Sequence, residues 1–321
     1  MGYSEQILYQ VAHMYYIDDL SQAEISSRLS LSRSKVSRLL ARAKEQGIVQ
    51  VSLSQTPSNV VCELEELLKD KFGLKNILIV PSVSQSEQDN LRTVVADGAR
   101  FFQSLIKDGD KIGVSWGYTL LEISKALQVS PFPHSSIVQI AGNLDNADAT
   151  NYAGEIIRRF GEKMCIDNKT TMPCPIIVES PIIVDLLLHD SKISSIIKQI
   201  NAIDVAFVDI GTLSEDGCLG RSGFVSLKEL LYLQDKKSVG SVCSRFIDAE
   251  GEIVDDTFNN RTLSINLPIL RDVRISCACI ASESKVPALC GAIKGGLVNT
   301  VAVDSNTAGR ILQYLRMQGT L

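Results

Sequence analysis

Residues Ser21–Gln50 read SQAEISSRLSLSRSKVSRLLARAKEQGIVQ. Ser21 and Glu24 have the spacing of a capping box, in which hydroxyl and carboxylate satisfy the free N–H groups at a helix start. Behind that cap Ala23 is small enough for close helix packing, and Ile25 and Leu29 point inward. Ser30-Leu31 forms a turn, and Ser32 can cap a third helix. On that helix Val36, Leu39, Leu40 and Ala43 share one face, while Ser34, Ser37, Arg38 and Ala41 share the opposite one. Gly47 ends it, and Ile48–Leu53 reads as a strand, the edge of a wing. Upstream, residues 4–17 put Leu8, Val11, Ala12 and Tyr15 on one apolar face. The pattern predicts a winged helix-turn-helix. The plainer alternative is a helical hairpin made only for packing, which would need neither the capped turn nor the bare outward face.

The third helix has the chemistry of a groove reader. Between Arg28 and Lys44 lie six basic residues and no acidic one, on a chain whose formal net charge is −5. A local basic stripe on an acidic protein suits double-stranded DNA. Arg33, Lys35, Arg42 and Lys44 flank the outward face at angles suited to phosphates, and Arg38 can reach a base edge. Ser32, Ser34 and Ser37 allow close approach, and Gln22 opens the supporting helix. Phosphate contacts position such a helix, and a few side chains read bases.

The remaining sequence needs a different explanation. With 321 residues, 45% hydrophobic and 21% charged, the chain can hold two soluble domains. It shows no basic-then-apolar leader and no run of about 18 apolar residues, so a cytoplasmic, membrane-free location is expected. Eight cysteines occur without a CxxC pair. Cys277 and Cys279 alternate within an apolar strand, so both face one side as small core residues. Neither metal nor cofactor is called for.

Ser54–Asn59, SQTPSN, is polar and contains proline, which places a boundary between residues 1–55 and 56–321. Beyond it, apolar runs alternate with helical patterns. Strands are expected at 76–81, 111–115, 136–141, 202–210, 237–243, 274–280 and 300–303. Helices are expected at 60–72, up to 106, up to 127, at 152–160, at 285–294 and from 306. That alternation predicts a Rossmann-like α/β domain with a mainly parallel sheet. Such folds bind ligands at strand carboxyl ends, beside helix N-termini. The best loop is Gly113–Thr119, GVSWGYT, where Gly117 permits close approach and Ser115 and Thr119 offer hydroxyls. It is neither a Walker loop nor GxGxxG, and a plain strand-to-helix turn would read the same. Further strand ends fall at Ile140–Asn143, at Val208-Asp209-Ile210-Gly211-Thr212 and at Gly240–Gly251. In the last of these, Arg245 could pair with phosphate and Asp248 could accept from sugar hydroxyls, or simply begin a turn. Lys285 stands at a helix N-terminus, where the helix dipole disfavours a cation unless an anion joins it.

Taken together, these stretches resemble the SorC/DeoR-type sugar-binding transcriptional regulators of bacteria. The likeness runs from the helix-turn-helix through DGDKIGVSWGYTL, IVQIAG, NYAGEII, DVAFVDIG and VGSVCSRFIDAEG to GAIKGGLVNTVAVDSNTAGRIL, nearly the whole chain. The resemblance implies an effector and oligomerisation domain folded like ribose-5-phosphate isomerase and glucosamine-6-phosphate deaminase. It further implies a homo-oligomer, a tetramer or dimer of dimers, and a phosphorylated sugar as effector. Carried over by motif, the ligand-binding residues are Ser115, Trp116, Gly117, Tyr118, Thr119, Gly142, Asn151, Asp248 and Lys285. The chain departs from the pattern at Ala281-Ser282-Glu283-Ser284-Lys285, which lacks a glycine pair and sets Glu283 near the phosphate corner. It departs also at Asn143, where a second glycine is common. Ala141 has no amine, which excludes an imine there.

The resulting expectation is a regulator, a repressor, of a carbohydrate-metabolism operon. A second possibility is a sugar-phosphate isomerase- or deaminase-like enzyme with a DNA-binding appendage. Such chemistry needs a positioned base, and His13, His134 and His189 all lie outside the ligand loops. A third is a thiol sensor, if Arg245 lowers the pKa of Cys243.

Overall fold

A computed structural model of the chain describes residues 5–49, 59–143 and 152–319. Two compact units emerge, residues 1–57 and 58–321.

In the first unit, α1 (Glu5–Tyr16), α2 (Gln22–Leu29) and α3 (Arg33–Glu45) enclose a core of Leu8, Val11, Ala12, Ile25, Val36, Leu39, Leu40 and Ala43. Both arms of the Ser21–Glu24 capping box form. Ser30 takes a left-handed conformation at φ 52°, which turns the chain sharply after α2. The Ser26 hydroxyl pins the turn by donating to the Leu31 carbonyl at 2.5 Å. Ser32 then caps α3 by accepting from the Lys35 N–H at 3.2 Å. Ala23 is exposed and so does not mediate the helix packing expected of it. Ile48 and Val49 pack on the core, while the rest of the expected wing strand lies outside the described residues.

The second unit runs α4 (Asn59–Phe72), β1 (Asn76–Val80), α5 (Glu87–Ser104), β2 (Lys111–Val114), α6 (Tyr118–Ala126), β3 (Ser136–Gln139), α7 (Tyr152–Met164) and β4 (Lys169–Thr170). It continues with α8 (Pro181–His189), α9 (Ser191–Ile200), β5 (Val205–Phe207), β6 (Ile210–Gly211), α10 (Cys218–Arg221), α11 (Leu227–Asp235), β7 (Gly240–Val242) and β8 (Arg245–Ile247). It ends with α12 (Asp256–Asn259), α13 (Leu267–Asp272), β9 (Ile275–Ile280), α14 (Val286–Lys294), β10 (Thr300–Asp304) and α15 (Ser305–Met317). The main sheet has the order β1-β10-β9-β5-β2-β3-β4 and every pairing in it is parallel. Its strands β10, β9 and β5 are buried at every position, as a sheet covered on both faces requires. One face packs under α5, α6 and α7 with Phe102, Phe160 and Phe207 at its centre; the other packs under α9, α14 and α15. Cys277 and Cys279 do share a side, both within the aromatic-rich layer.

The 202–210 and 237–243 runs differ from expectation. The first breaks into β5 and β6. The second is a hairpin, β7 and β8 joined antiparallel across Cys243-Ser244 and continued by β6. Both turn residues have positive φ, 48° and 64°, the backbone of a tight two-residue hairpin normally built with Asn or Gly. Cys243-Ser244 carries neither of them, so the turn has no local sequence signal.

Candidate functional site

Direction changes once in the main sheet. From β2 the chain steps to β3 and β4 on one side; from β5 it steps to β9 and β10 on the other. Adjacent strands that depart in opposite directions leave a crevice at their carboxyl ends. A cavity of about 550 Å³ occupies that place. Gly117, Tyr118 and Thr119 line it at the start of α6, Asp209–Thr212 at the end of β5, and Ala281–Lys285 in part after β9. Tyr152 of α7 and Cys218 and Arg221 of α10 complete much of the wall.

Gly117 is required by its backbone. Its φ of +135° excludes an ordinary side chain, and it stands as the N-cap of α6 with no side-chain cap. The helix start is therefore open to an anion.

Asp209 forms the floor. Its carboxylate accepts from the Ser115 hydroxyl at 2.5 Å, and its carbonyl accepts from the Cys243 N–H at 3.2 Å. The positive-φ hairpin turn thus abuts the strand end that carries this acid. Burial pushes the Asp209 pKa up, opposed by the Ser115 hydrogen bond and the Lys285 charge. Lys285 ends a short 3-10 turn, Glu283–Lys285, just before α14. Burial pulls its pKa down, opposed first by Asp209. A carboxylate and an ammonium, each partly desolvated, thus share a pocket with an open helix start. Such a set can hold an anionic group and a hydroxyl on one small ligand.

In the first unit, α3 exposes Arg33, Ser34, Ser37, Arg38 and Arg42, with Lys35 half-buried. Arg38 lies along the helix, its Nε donating to the Ser34 carbonyl at 3.3 Å. Ser32 serves as the cap, and Gln22 is half-buried at the start of α2.

Residues 57–313 match the sugar-binding domain family, and residues 14–46 match region 4 of sigma-70, a helix-turn-helix. Over 311 residues the chain is 30% identical to the deoxyribonucleoside regulator of Bacillus subtilis (strain 168), covering 97% of this chain and 98% of that one. It is 28% identical over 309 residues to the sorbitol operon regulator of Klebsiella pneumoniae, covering 96% of this chain and 98% of the other. The crystal structure of that full-length Klebsiella pneumoniae regulator, SorC, superposes with a TM-score of 0.76 at 27% identity, over 97% of this chain and 100% of that one. The chain belongs to the SorC/DeoR-type family of sugar-binding transcriptional regulators. It is a DNA-binding protein whose output unit is α1–α3 and whose second unit is the family's sugar-binding domain.

Several positions carried over from the family have other roles in this regulator. Ser115 is buried and its hydroxyl is engaged by Asp209. The Trp116 side chain, 3% exposed, sits in the core among Leu120 and Ile176 instead of lining the cavity, with its indole N–H unpartnered. Gly142 is a packing glycine: a Cβ there would meet the Pro175 carbonyl at 2.6 Å. Asp248 closes a turn, its Oδ1 accepting from the Glu250 and Glu252 N–H groups, each at 2.9 Å, and it is not among the residues that line the cavity. Asn151 lies outside the described residues; Tyr152, the next residue, lines the cavity. Glu283 faces a neighbouring cavity and pairs with Arg310 at 3.3 Å, so it does not compete for Lys285. Asn143 is half-buried in a network with Gln139 and the Met172 carbonyl.

Arg245 is not available to a phosphate. It is buried, and its guanidinium donates to the carbonyls of Ile265, Asn259, Thr262 and Ser264 and to the side chains of Asn259 and Asn266. Nor does it activate Cys243, whose thiol is fully buried and pushed up by desolvation, the opposite of a reactive thiolate.

Proposed function

We propose that this regulator, a repressor of a carbohydrate-metabolism operon, holds operator DNA through α3 and is controlled by a phosphorylated sugar in the cavity between β2 and β5. The observation that carries this is the pairing of Lys285 and the uncapped start of α6 with Asp209. The first two favour a phosphate and the last favours a sugar hydroxyl. Accordingly we take residues 1–55 as the DNA-binding part and 56–321 as the effector-binding and oligomerisation part. The latter is related in fold to ribose-5-phosphate isomerase and glucosamine-6-phosphate deaminase. The assembly is a cytoplasmic homo-oligomer, a tetramer or dimer of dimers, that sets two recognition helices about 34 Å apart or a multiple of it. The protein works by binding alone. Among the described residues no histidine lines the cavity, and the charged pair in its wall serves recognition.

The test is a thermal-shift panel of pentose and hexose phosphates, each beside its unphosphorylated sugar. A ligand at 100 times its dissociation constant stabilises by roughly 2.7 kcal/mol. Phosphorylated members alone should raise the melting temperature and release a fragment of the regulator's own promoter. Equal shifts with free sugars would refute the phosphate assignment, and turnover of any panel member would favour an enzyme.

A further inference from the structure

The wall that presents Lys285 to the effector cavity is thin. Ala281, Ser282, Ser284 and Lys285 line that cavity. Behind them lies a second cavity of about 450 Å³, at the carboxyl end of β10, with Glu87, Ala281, Glu283, Asp304 and Arg310 in its wall. Packing anchors the two ends of the segment, Ala281 and Val286, both buried. None of the three residues of the 3-10 turn Glu283–Lys285 is buried. With open space on both sides, the place of that turn depends on polar ties. Ser282 stands at its N-cap but makes no cap hydrogen bond, and its hydroxyl lies 2.9 Å from that of Ser284. The cap comes from a distant part of the chain. Glu87, in the first turn of α5, accepts from the Glu283 N–H through Oε1 at 2.8 Å. Arg310 of α15 pairs with the Glu283 side chain at 3.3 Å, both at least half exposed. Such an exposed ion pair contributes little. A carboxylate on the orphan N–H of a helix start is charge-assisted and directional, so the Glu87 tie is the stronger of the two. The plainer reading is that Glu87 only complements the dipole of its own helix, which needs no contact with Glu283.

We propose that Glu87 is a positioning residue for effector binding: its carboxylate caps the turn Glu283–Lys285 from α5 and so keeps the Lys285 ammonium in the cavity wall with Asp209. Glu87 is not among the residues that line the effector cavity, so it acts through Lys285 alone. The charged and titratable groups that face the ammonium are Asp209 first, then Cys279 of β9, Cys218 of α10 and Glu87 itself. Glu87 thus serves Lys285 twice, as the cap of its turn and as a weak counter-charge, and the two roles make opposite predictions. Loss of the charge alone disfavours the ammonium. Loss of the cap frees the ammonium into water, which favours it. The proposal deepens the reading of this cavity as the effector site and rests on it.

The experiment reads Lys285 in the full chain without ligand, as the pH midpoint of its labelling by an amine reagent followed by mass spectrometry. In Glu87→Ala the midpoint should rise from its lowered wild-type position toward the ordinary 10.5. Glu87→Gln keeps an acceptor for the Glu283 N–H and loses only the charge, so its midpoint should stay at or below that of the wild type. Glu283→Pro removes the same N–H from the other side, at a helix-start position that tolerates proline, and should follow Glu87→Ala. Glu283→Ala loses only the Arg310 pair and should follow the wild type. The Glu283 amide should exchange about tenfold or more faster in Glu87→Ala than in the wild type, the contribution of one charge-assisted hydrogen bond. A midpoint that fails to rise in Glu87→Ala or Glu283→Pro, whichever folds, overturns the proposal, and so does a Glu283 amide unprotected in the wild type. Shielding of Lys285 from the reagent by inorganic phosphate is scored separately in the wild type. Its absence counts against the anion reading of the cavity, while the ligand-free midpoints still decide the role of Glu87.

Discussion

At the scale of single residues, the cavity and the recognition helix make opposite demands on a cation. Arg38 is exposed and free to swing from Ser34 toward a base. Arg38→Ala should weaken operator binding by about 1–3 kcal/mol and relax base preference if the contact is bidentate. A competition gel shift with single-base operator variants checks both. Lys285 is instead partly desolvated, and burial lowers its pKa from the ordinary 10.5. The ammonium is the form that holds an anion, so, above the second ionisation of the phosphate at about pH 6, affinity is present until the pH rises through the lowered value and is then lost. Calorimetry of a bound sugar phosphate should show that loss beginning below the ordinary lysine range, and Lys285→Arg should abolish the alkaline loss because guanidinium stays charged. An affinity flat to pH 10 would remove Lys285 from the anion contact. The sequence exposed the lysine because a cation at a helix start is anomalous. It did not expose Asp209 as a site residue, although Val208–Thr212 was visible as a strand end. The partners that bury and orient Asp209, Ser115 and the Cys243 turn, are 94 and 34 residues away. Trp116, the chain's single tryptophan, shows the converse. It was legible as part of the right loop, but only packing reveals that its ring faces the core.

At the scale of elements, helices with caps and one apolar face were readable. The Ser21–Glu24 box, the Ser32 cap and the alternation of β1, β2, β9 and β10 with their helices stand where local chemistry put them. Elements without a period were not. Helix α8 is aliphatic at six of its nine positions, spread around the helix, and its local signals are the Ser180 cap and Pro181 at its start. The β7–β8 hairpin was read as a ligand-bearing loop because Arg245 and Asp248 look like phosphate and hydroxyl ligands in isolation. The fold uses both as fasteners. Arg245 ties β8 to the 259–266 segment through several acceptors, and a lysine there could satisfy at most three with poorer geometry. Buried carbonyls left unpaired cost about 1–3 kcal/mol each. Arg245→Lys should therefore destabilise the second unit by at least about 2 kcal/mol in urea, while Asp248→Asn, which keeps an acceptor at the turn, should change effector affinity little. A phosphate-specific affinity loss in Arg245→Lys without loss of stability would return that arginine to the ligand site.

At the scale of the whole molecule, control of DNA by a small ligand is a difference of binding free energies and must run both ways. The cavity sits where β2 and β5 diverge, and its walls come from α6, α7, α10 and the turn before α14. A ligand there draws on elements from both faces of the sheet, so its binding energy can favour one arrangement of the domain over another. Coupling of this kind is typically 1–3 kcal/mol, or about 5–150-fold. Trp116 supplies a reporter in the protein as it stands, because its buried ring directly precedes Gly117 of the cavity wall. Effector titrations followed by its fluorescence should give one dissociation constant without operator and another with operator saturating. The ratio of the two should equal the factor by which saturating effector changes the operator dissociation constant, measured at the same salt because phosphate contacts make DNA affinity steeply salt-dependent. Equal factors within that range place cavity and α3 on one linked equilibrium. A change in operator affinity with no matching change in effector affinity would mean that the small molecule acts somewhere other than this cavity.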